Sequence, residues 1–179
     1  MAGGSLEIER KYLLKSVPPI PPEAEVWRIE QGYVDFNAKP VVPDPDGLDV
    51  GRIRRTTMAD GTVVCTHTVK SGVGLVRQEV ERVISSDTFE RAWPRTQGRR
   101  LQKVRYRIRD EALIWEIDVF TSLPLTLAEV ELPTAETPSP IPAWLMPHID
   151  REVTGEPEYT NAAIAFKFNQ GQPASPFNT

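Results

Sequence analysis

From residue 6 to 14 the chain alternates between polar and apolar positions with the period of a β-strand. Glu7, Glu9 and Lys11 share one face, and Leu6, Ile8 and Tyr12 share the other, with Arg10 the one polar exception. At a rise of about 3.3 Å per residue, same-face side chains stand roughly 6.6 Å apart, so the three charges form a short column. The pattern recurs along the chain. Residues 25–36 are rich in aromatic and β-branched side chains and read as a second strand. Residues 50–58 put Arg52 and Arg54 on one face, and Ala59-Asp60-Gly61 supplies a hairpin turn into a strand at 62–70. Residues 77–84 set Arg77, Glu79 and Glu81 against Val76 and Val80. Residues 100–109 set Lys103, Arg105, Arg107 and Arg109 against Val104, Tyr106 and Ile108. Residues 112–120 and 126–132 repeat the arrangement with Glu116/Asp118 and Glu129/Glu131.

About eight strands follow one another in this way, and helices are few and late. Ser85 to Glu90 carries cap and early acidic residues, predicting a helix to about Trp93 that Pro94 stops. A second helix is predicted over 159–168. Prolines 18, 19, 21 and 22, and those at 40, 43 and 45, mark connectors. The expected class is mainly β (α+β): an eight-stranded antiparallel closed barrel with a polar interior and a few helices packed outside. A two-sheet sandwich with a charged surface is the alternative. Residues 1–5 are expected to be a flexible leader, 6–168 a single domain and 169–179 a flexible tail.

The charge on the polar faces is sorted by sign, in pairs: Glu7/Glu9, Glu79/Glu81, Glu116/Asp118 and Glu129/Glu131 against Arg52/Arg54 and Lys103/Arg105/Arg107. Like charges side by side are mildly destabilising unless something neutralises them. Divalent metal ions would neutralise the carboxylates and a polyphosphate the arginines, so the pattern points to a metal-complexed phosphate chain. The net charge of −4 argues against general nucleic-acid or membrane-surface binding, so any anion site must be local. A single cysteine, Cys65, excludes an intrachain disulfide and a cysteine-rich zinc site. No apolar run approaches a membrane span, and a cytoplasmic location is the default expectation. His67 reads as packed away from the charged face, and the tryptophans as cover for the apolar faces.

The motif Glu7-Ile8-Glu9-Arg10-Lys11 resembles the Glu-x-Glu-x-Lys signature of the CYTH domain, the triphosphate tunnel metalloenzyme superfamily. Arg52-Ile53-Arg54, Lys70, Glu79-Val80-Glu81, Lys103 with Arg105, Glu116-Ile117-Asp118 and Glu129-Val130-Glu131 continue the resemblance in order, across residues 6–168. It implies hydrolysis of triphosphate-bearing substrates with Mg²⁺ or Mn²⁺, inorganic tripolyphosphate first among them. Glu7, Glu9, Glu129 and Glu131 would hold metal and, with Lys11, form the catalytic set. Lys11, Arg52, Arg54, Lys70, Lys103 and Arg105 would bind phosphate, Glu79 and Glu81 would order these basic residues or help with a second metal, and Arg28 and Lys167 are further candidates. A class IV-type adenylate cyclase, a thiamine triphosphatase and a non-catalytic polyphosphate or nucleotide-binding module are the alternatives.

Overall fold

Turn chemistry and alternation put eight strands close to their expected places. The computed structural model describes residues 5–34, 44–71 and 76–170, with side chains for 8–34, 44–70 and 78–167. The leader before Ser5, the tail beyond Gln170, the loop before Asp44, the glycine turn at 72–75 and the Glu7 and Arg77 side chains lie outside the described residues. The strands are β1 (Ser5–Leu14), β2 (Glu25–Val34), β3 (Gly51–Met58), β4 (Val63–Ser71), β5 (Val76–Ile84), β6 (Arg100–Asp110), β7 (Leu113–Phe120) and β8 (Thr126–Glu131). The Asp60-Gly61 turn between β3 and β4 forms as expected, with Gly61 at φ 86° and the Thr62 amide donating to Asp60 Oδ1 at 2.8 Å. Helix α1 (Ser86–Ala92) starts where Ser85 Oγ accepts the Thr88 amide. Helix α2 (Asn161–Gln170) closes the described chain.

A ninth strand, β9 (Ile149–Glu152), was not expected, because four residues with three charges carry no readable alternation. All strands join one antiparallel sheet in the order β5-β4-β3-β2-β6-β7-β8-β1-β9, with a further pairing between β1 and β5. The expected eight-stranded closed barrel is therefore corrected to a nine-stranded antiparallel sheet. The reason lies in the length of β1, whose ten residues serve three partners. Ser5–Ile8 pair with β5, Glu9–Leu13 with β8, and Tyr12–Leu14 with β9, which adds the outer strand.

The apolar face of the sheet is covered in two places. Ile8, Tyr12, Trp115, Ile117 and Val130 are buried beneath Trp144, Leu145 and Ile149, and Ile53 and Cys65 are buried beneath Phe89 and Ala92 of α1. Helix α2, expected against the outside or the end of the sheet, takes the end. Its Ile164 and Ala165 pack on Leu13, Leu101, Phe120 and Leu127, and these share strand faces with Lys11, Lys103, Asp118 and Glu129. At one end of each of these strands the charged face turns apolar, and α2 covers that end, since about 25 cal/mol per Å² favours burying it. No helix among the described residues is long and apolar enough to cross a membrane.

Gly32 marks the closest approach of β2 to the turn after α1. A Cβ there would lie 2.4 Å from Thr96 Oγ1, and Thr96 is held in place by its bond to the Trp93 carbonyl at 2.8 Å and by Arg100 Nε at 2.9 Å. Gly32→Ala should cost about 1–3 kcal/mol by overpacking. A lowered midpoint in urea or guanidinium unfolding is the expected result, and an unchanged midpoint would contradict this packing.

Candidate functional site

The polar faces of β1–β8 and the start of α2 line a cavity of about 410 Å³. Strand register sets its layers. Leu13 faces Leu127 at the apolar end, Lys11 faces Glu129 one level up, and Glu9 faces Glu131 above that. On the next pairs, Asp118 stands beside Arg105 and Glu116 beside both Arg107 and Glu129. Each side chain reaches the cavity because two-residue periodicity repeats on every strand with its register held.

One side of the cavity is a dense ion-pair network. Arg105 Nε and Nη2 donate to the two Asp118 oxygens at 2.6 and 2.7 Å, Nη2 also reaches Glu129 Oε2 at 2.7 Å, and Nη1 pairs with Glu116. Burial alone would lower the Arg105 pKa, but Asp118, Glu116 and Glu129 hold it well above the usual arginine value. Lys11 Nζ lies 2.9 Å from Glu129 Oε1, 3.5 Å from Glu9 Oε1 and 3.4 Å from the Tyr159 carbonyl. Burial would raise Glu129, yet Lys11, Arg105 and Lys103 hold it well below the usual carboxylate range. Lys103, 1% exposed, donates to Asp118 Oδ2 at 2.5 Å and to Asn161 Oδ1 of α2 at 3.1 Å. Burial, with Arg105 nearby, pushes its pKa down to about 8.

The opposite side has a surplus of positive charge. Arg52 Nη2 bonds Thr68 Oγ1 at 2.9 Å and Glu81 Oε2 at 3.3 Å, while its Nε is buried with no hydrogen-bond partner among the described residues. Lys70 Nζ pairs with Glu79 Oε2 at 2.8 Å. Arg54 has no carboxylate partner among the described residues, and its Nε donates to Gln31 Oε1 at 3.1 Å. Desolvation, together with Arg52 and Arg105, pushes the Arg54 pKa down to about 9, against the opposing pull of Tyr33 and Asp118.

The acidic rim offers the hard oxygen donors that a divalent ion takes. Glu9 and Glu131 both line the cavity and are direct cross-strand partners, with Lys11 Nζ 3.5 Å from Glu9 Oε1. Among the described residues no three His, Cys, Asp or Glu side chains are grouped to hold a metal alone.

Of the expected site residues, Glu9, Lys11, Arg52, Arg54, Lys70, Glu79, Glu81, Arg105, Glu129 and Glu131 come together around the cavity. Lys103 lies beneath it as part of the Asp118 pair. Arg28 is exposed, on the face of β2 opposite the cavity residues Trp27 and Tyr33, and Lys167 is exposed on α2. Glu7 stands opposite Arg77 in the β1–β5 register, and its side chain is outside the described residues. His67 is buried away from the cavity, its Nε2 2.7 Å from the Val50 carbonyl. Trp27, expected as outer cover, instead lines the cavity, with Arg107 4.3 Å over its ring. Gln31, Tyr33, Thr68, Thr160 and Asn161 were not anticipated. For Gln31 and Tyr33 the missed signal was parity, since both share the strand face of Trp27 next to Arg54 in the β2–β3 register.

Asp118→Asn should test how far the network holds the fold. Removing one partner of a buried pair costs about 3–5 kcal/mol. Asp118 and Glu129 both titrate below their ordinary values in the folded chain, so the unfolded chain takes up protons first as pH falls. Their stabilisation is present above about pH 4, where unfolded carboxylates titrate, and is lost as pH falls through the folded values. Denaturant unfolding should show a lower stability for Asp118→Asn at pH 7 and a shallower loss below pH 4. Equal curves for both proteins would contradict the network.

No family model matches the chain. An inorganic triphosphatase of Nitrosomonas europaea is 34% identical over 164 residues, covering 89% of this chain and 96% of that protein. An inorganic triphosphatase of Acetivibrio thermocellus is 39% identical over 66 residues, 36% of this chain and 40% of that protein. The crystal structure of an inorganic triphosphatase aligns with a TM-score of 0.54 at 30% identity, over 89% of this chain and 97% of that one. A second crystal structure of the same protein aligns with a TM-score of 0.56 at 32% identity over the same shares. With one-third identity across nearly the whole of a relative, the same chain length engaged in the solved structures, and the acidic and basic strand pairs gathered on one cavity, this chain belongs to the CYTH, or triphosphate tunnel metalloenzyme, superfamily, among its inorganic-triphosphatase-like members.

Proposed function

We propose that the chain hydrolyses inorganic tripolyphosphate to pyrophosphate and phosphate, with Mg²⁺ or Mn²⁺ as cofactor. The observation that carries this reading is Arg54, a half-buried, cavity-lining guanidinium with no carboxylate in ion-pair contact among the described residues. A partly desolvated charge without a close counter-charge is costly, and a polyanion supplies one. Arg52 and Lys70 extend the basic side, so a chain of phosphates meets cations along its length. The relatives named inorganic triphosphatases support the choice of substrate.

Glu9 and Glu131, with Glu129 and the sequence-based candidate Glu7, would hold the metal. When bound, the ion supplies Lewis acidity at phosphoryl oxygens and lowers the pKa of water. The protein's own part is positioning and charge stabilisation, which dominate phosphoryl transfer. Arg54 and Arg52 hold phosphate oxygens, and Lys11 fixes Glu129 and Glu9 while presenting its ammonium to the cavity. Glu79 and Glu81 keep Lys70 and Arg52 in place. Glu129 is held as an anion so firmly that it is a poor proton acceptor at neutral pH, which assigns it charge and ligation in place of general-base work.

Excess chelator should abolish phosphate release and added Mg²⁺ or Mn²⁺ restore it; turnover undiminished in chelator would overturn the metal-dependent reading. In a panel of tripolyphosphate, pyrophosphate, thiamine triphosphate and ATP, tripolyphosphate should be the best substrate and pyrophosphate poor. A clear cyclic-AMP product from ATP would instead identify a cyclase. Glu9→Gln should lower kcat by at least about tenfold, and Arg54→Ala should raise KM by about 30-fold or more. Glu90→Gln, an exposed partner of Arg55 on α1, should change neither. A folded Glu9→Gln enzyme with normal turnover would remove Glu9 from the site.

The pH dependence follows from the basic groups. Among the cavity-lining cations Arg54 has its pKa pushed down to about 9, and only its protonated form attracts phosphate. KM for tripolyphosphate should therefore be flat below about pH 8 and rise as pH passes through 9. A KM that stays level to pH 10 would show that the charge state of Arg54 does not govern binding.

A further inference from the structure

His67 lies outside the cavity, and the reaction as described so far does not use it. Its imidazole is buried on β4, on the face opposite the cavity residues Thr68 and Lys70, and both ring nitrogens are engaged. Nε2 lies 2.7 Å from the Val50 carbonyl, and Arg82 Nε of β5 lies 3.3 Å from Nδ1. An arginine nitrogen can only donate, so Nδ1 is the acceptor and Nε2 carries the proton that goes to Val50. Burial, with Arg82 beside the ring, lowers the His67 pKa against the opposing pull of the Val50 carbonyl and Asp44, so this neutral tautomer is the form present at pH 7.

The bond matters because of where Val50 stands. It is the last residue before β3, and the register of β3 with β4 begins with Arg52 opposite Thr68. Between them is Gly51, at φ 107°, a conformation that glycine takes without strain. A Cβ on Gly51 would lie 2.5 Å from the Thr68 carbonyl and 3.0 Å from His67 Nε2, so the backbone entering β3 is seated directly on β4 beside the imidazole. Arg82 also donates to the Asp46 carbonyl, and the His67–Arg82 pair therefore holds the segment ahead of β3 at two points. Strand ends fray unless something outside the ladder ties them down. Arg52 is the site residue most exposed to such fraying. It opens the β3–β4 ladder, and its Nε is buried with no hydrogen-bond partner among the described residues. Arg54 sits two residues further in, with Gln31 and Thr66 on either side in the register.

We propose that His67 is a positioning residue for substrate binding: through the Val50 carbonyl it fixes the entry to β3 and so holds Arg52 where the phosphate chain meets it. The proposal rests on the tripolyphosphate reading and assigns the aim of one of its cations to a residue outside the cavity.

The test is steady-state hydrolysis of tripolyphosphate by the full-length protein, well below its thermal midpoint. It compares wild type with His67→Leu, which fills the space without a donor, and His67→Gln, which keeps an N–H for Val50. His67→Leu should raise KM about fivefold, the effect of losing one neutral hydrogen bond, with kcat changed less than about twofold. His67→Gln should bring KM back to within about twofold of wild type. Made in Arg52→Ala protein, His67→Leu should add no further rise in KM, because the residue it aims is gone. A merely structural role would lower the thermal midpoint and raise KM by the same factor in both backgrounds. That additive result, or an unchanged KM in His67→Leu, overturns the inference while leaving the tripolyphosphate reading intact. If wild type itself does not turn over tripolyphosphate, that reading falls and this inference with it. Should His67→Leu fail to fold, His67→Asn decides in its place. Its shorter amide keeps a partner for Arg82 and falls short of Val50, so the same rise in KM is expected and the same two results would overturn the inference.

Discussion

The Arg105 guanidinium is the interaction on which the rest of the site depends. It gathers Asp118, Glu116 and Glu129 from two neighbouring strands and so makes a face crowded with carboxylates compatible with folding. Three carboxylates in a buried layer would repel one another and shift towards their neutral forms. With Arg105 and Lys11 among them, Asp118 and Glu129 stay ionised and fixed. The same arrangement determines what the cavity lacks. Because Arg105 engages Asp118, Glu116 and Glu129 directly, none of these three carboxylates is in ion-pair contact with Arg54 on the far side, whose guanidinium faces the cavity.

That division gives the site two chemically distinct walls. The acidic rim, with Glu9 directly opposite Glu131, suits a hard divalent cation that shares its coordination with phosphate. The basic wall of Arg52, Arg54 and Lys70 suits the phosphates themselves. The two are held at fixed separation by strand register, so the chemistry needs little movement of the protein. Helix α2 adds the third element. It covers the apolar end of the cavity face, and Lys11 and Lys103 are tied to its entry through the Tyr159 carbonyl and the Asn161 side chain.

Much of this was legible before any coordinates. Period-two alternation located β1 to β8, and the charged faces together with the family resemblance named ten candidate site residues that surround the cavity. What alternation could not show was the number of partners a strand takes. The ten residues of β1 look like any strand, yet their length lets β1 pair with β5, β8 and β9, and the four-residue β9 is too short and too charged to read. Apolar spacing left α2 a choice between the outside and the end of the sheet, although the deciding cause lies in plain letters: Leu13, Leu101, Phe120 and Leu127 interrupt otherwise charged faces. Arg28 shows the opposite error. Its charge drew it into the site, whereas strand parity sends it to the other face from Trp27 and Tyr33. Parity, applied as strictly to neutral residues as to charged ones, would also have found Gln31.

The central claim is that the cavity is a polyanion site by its own charge, before any metal arrives. Isothermal titration of the metal-free protein with tripolyphosphate in excess chelator tests it most directly. Saturable one-to-one binding that weakens with added salt, and that is lost in Arg54→Ala, is the result this account predicts. Binding heat that appears only when Mg²⁺ or Mn²⁺ is present, with no dependence on Arg54, would contradict it.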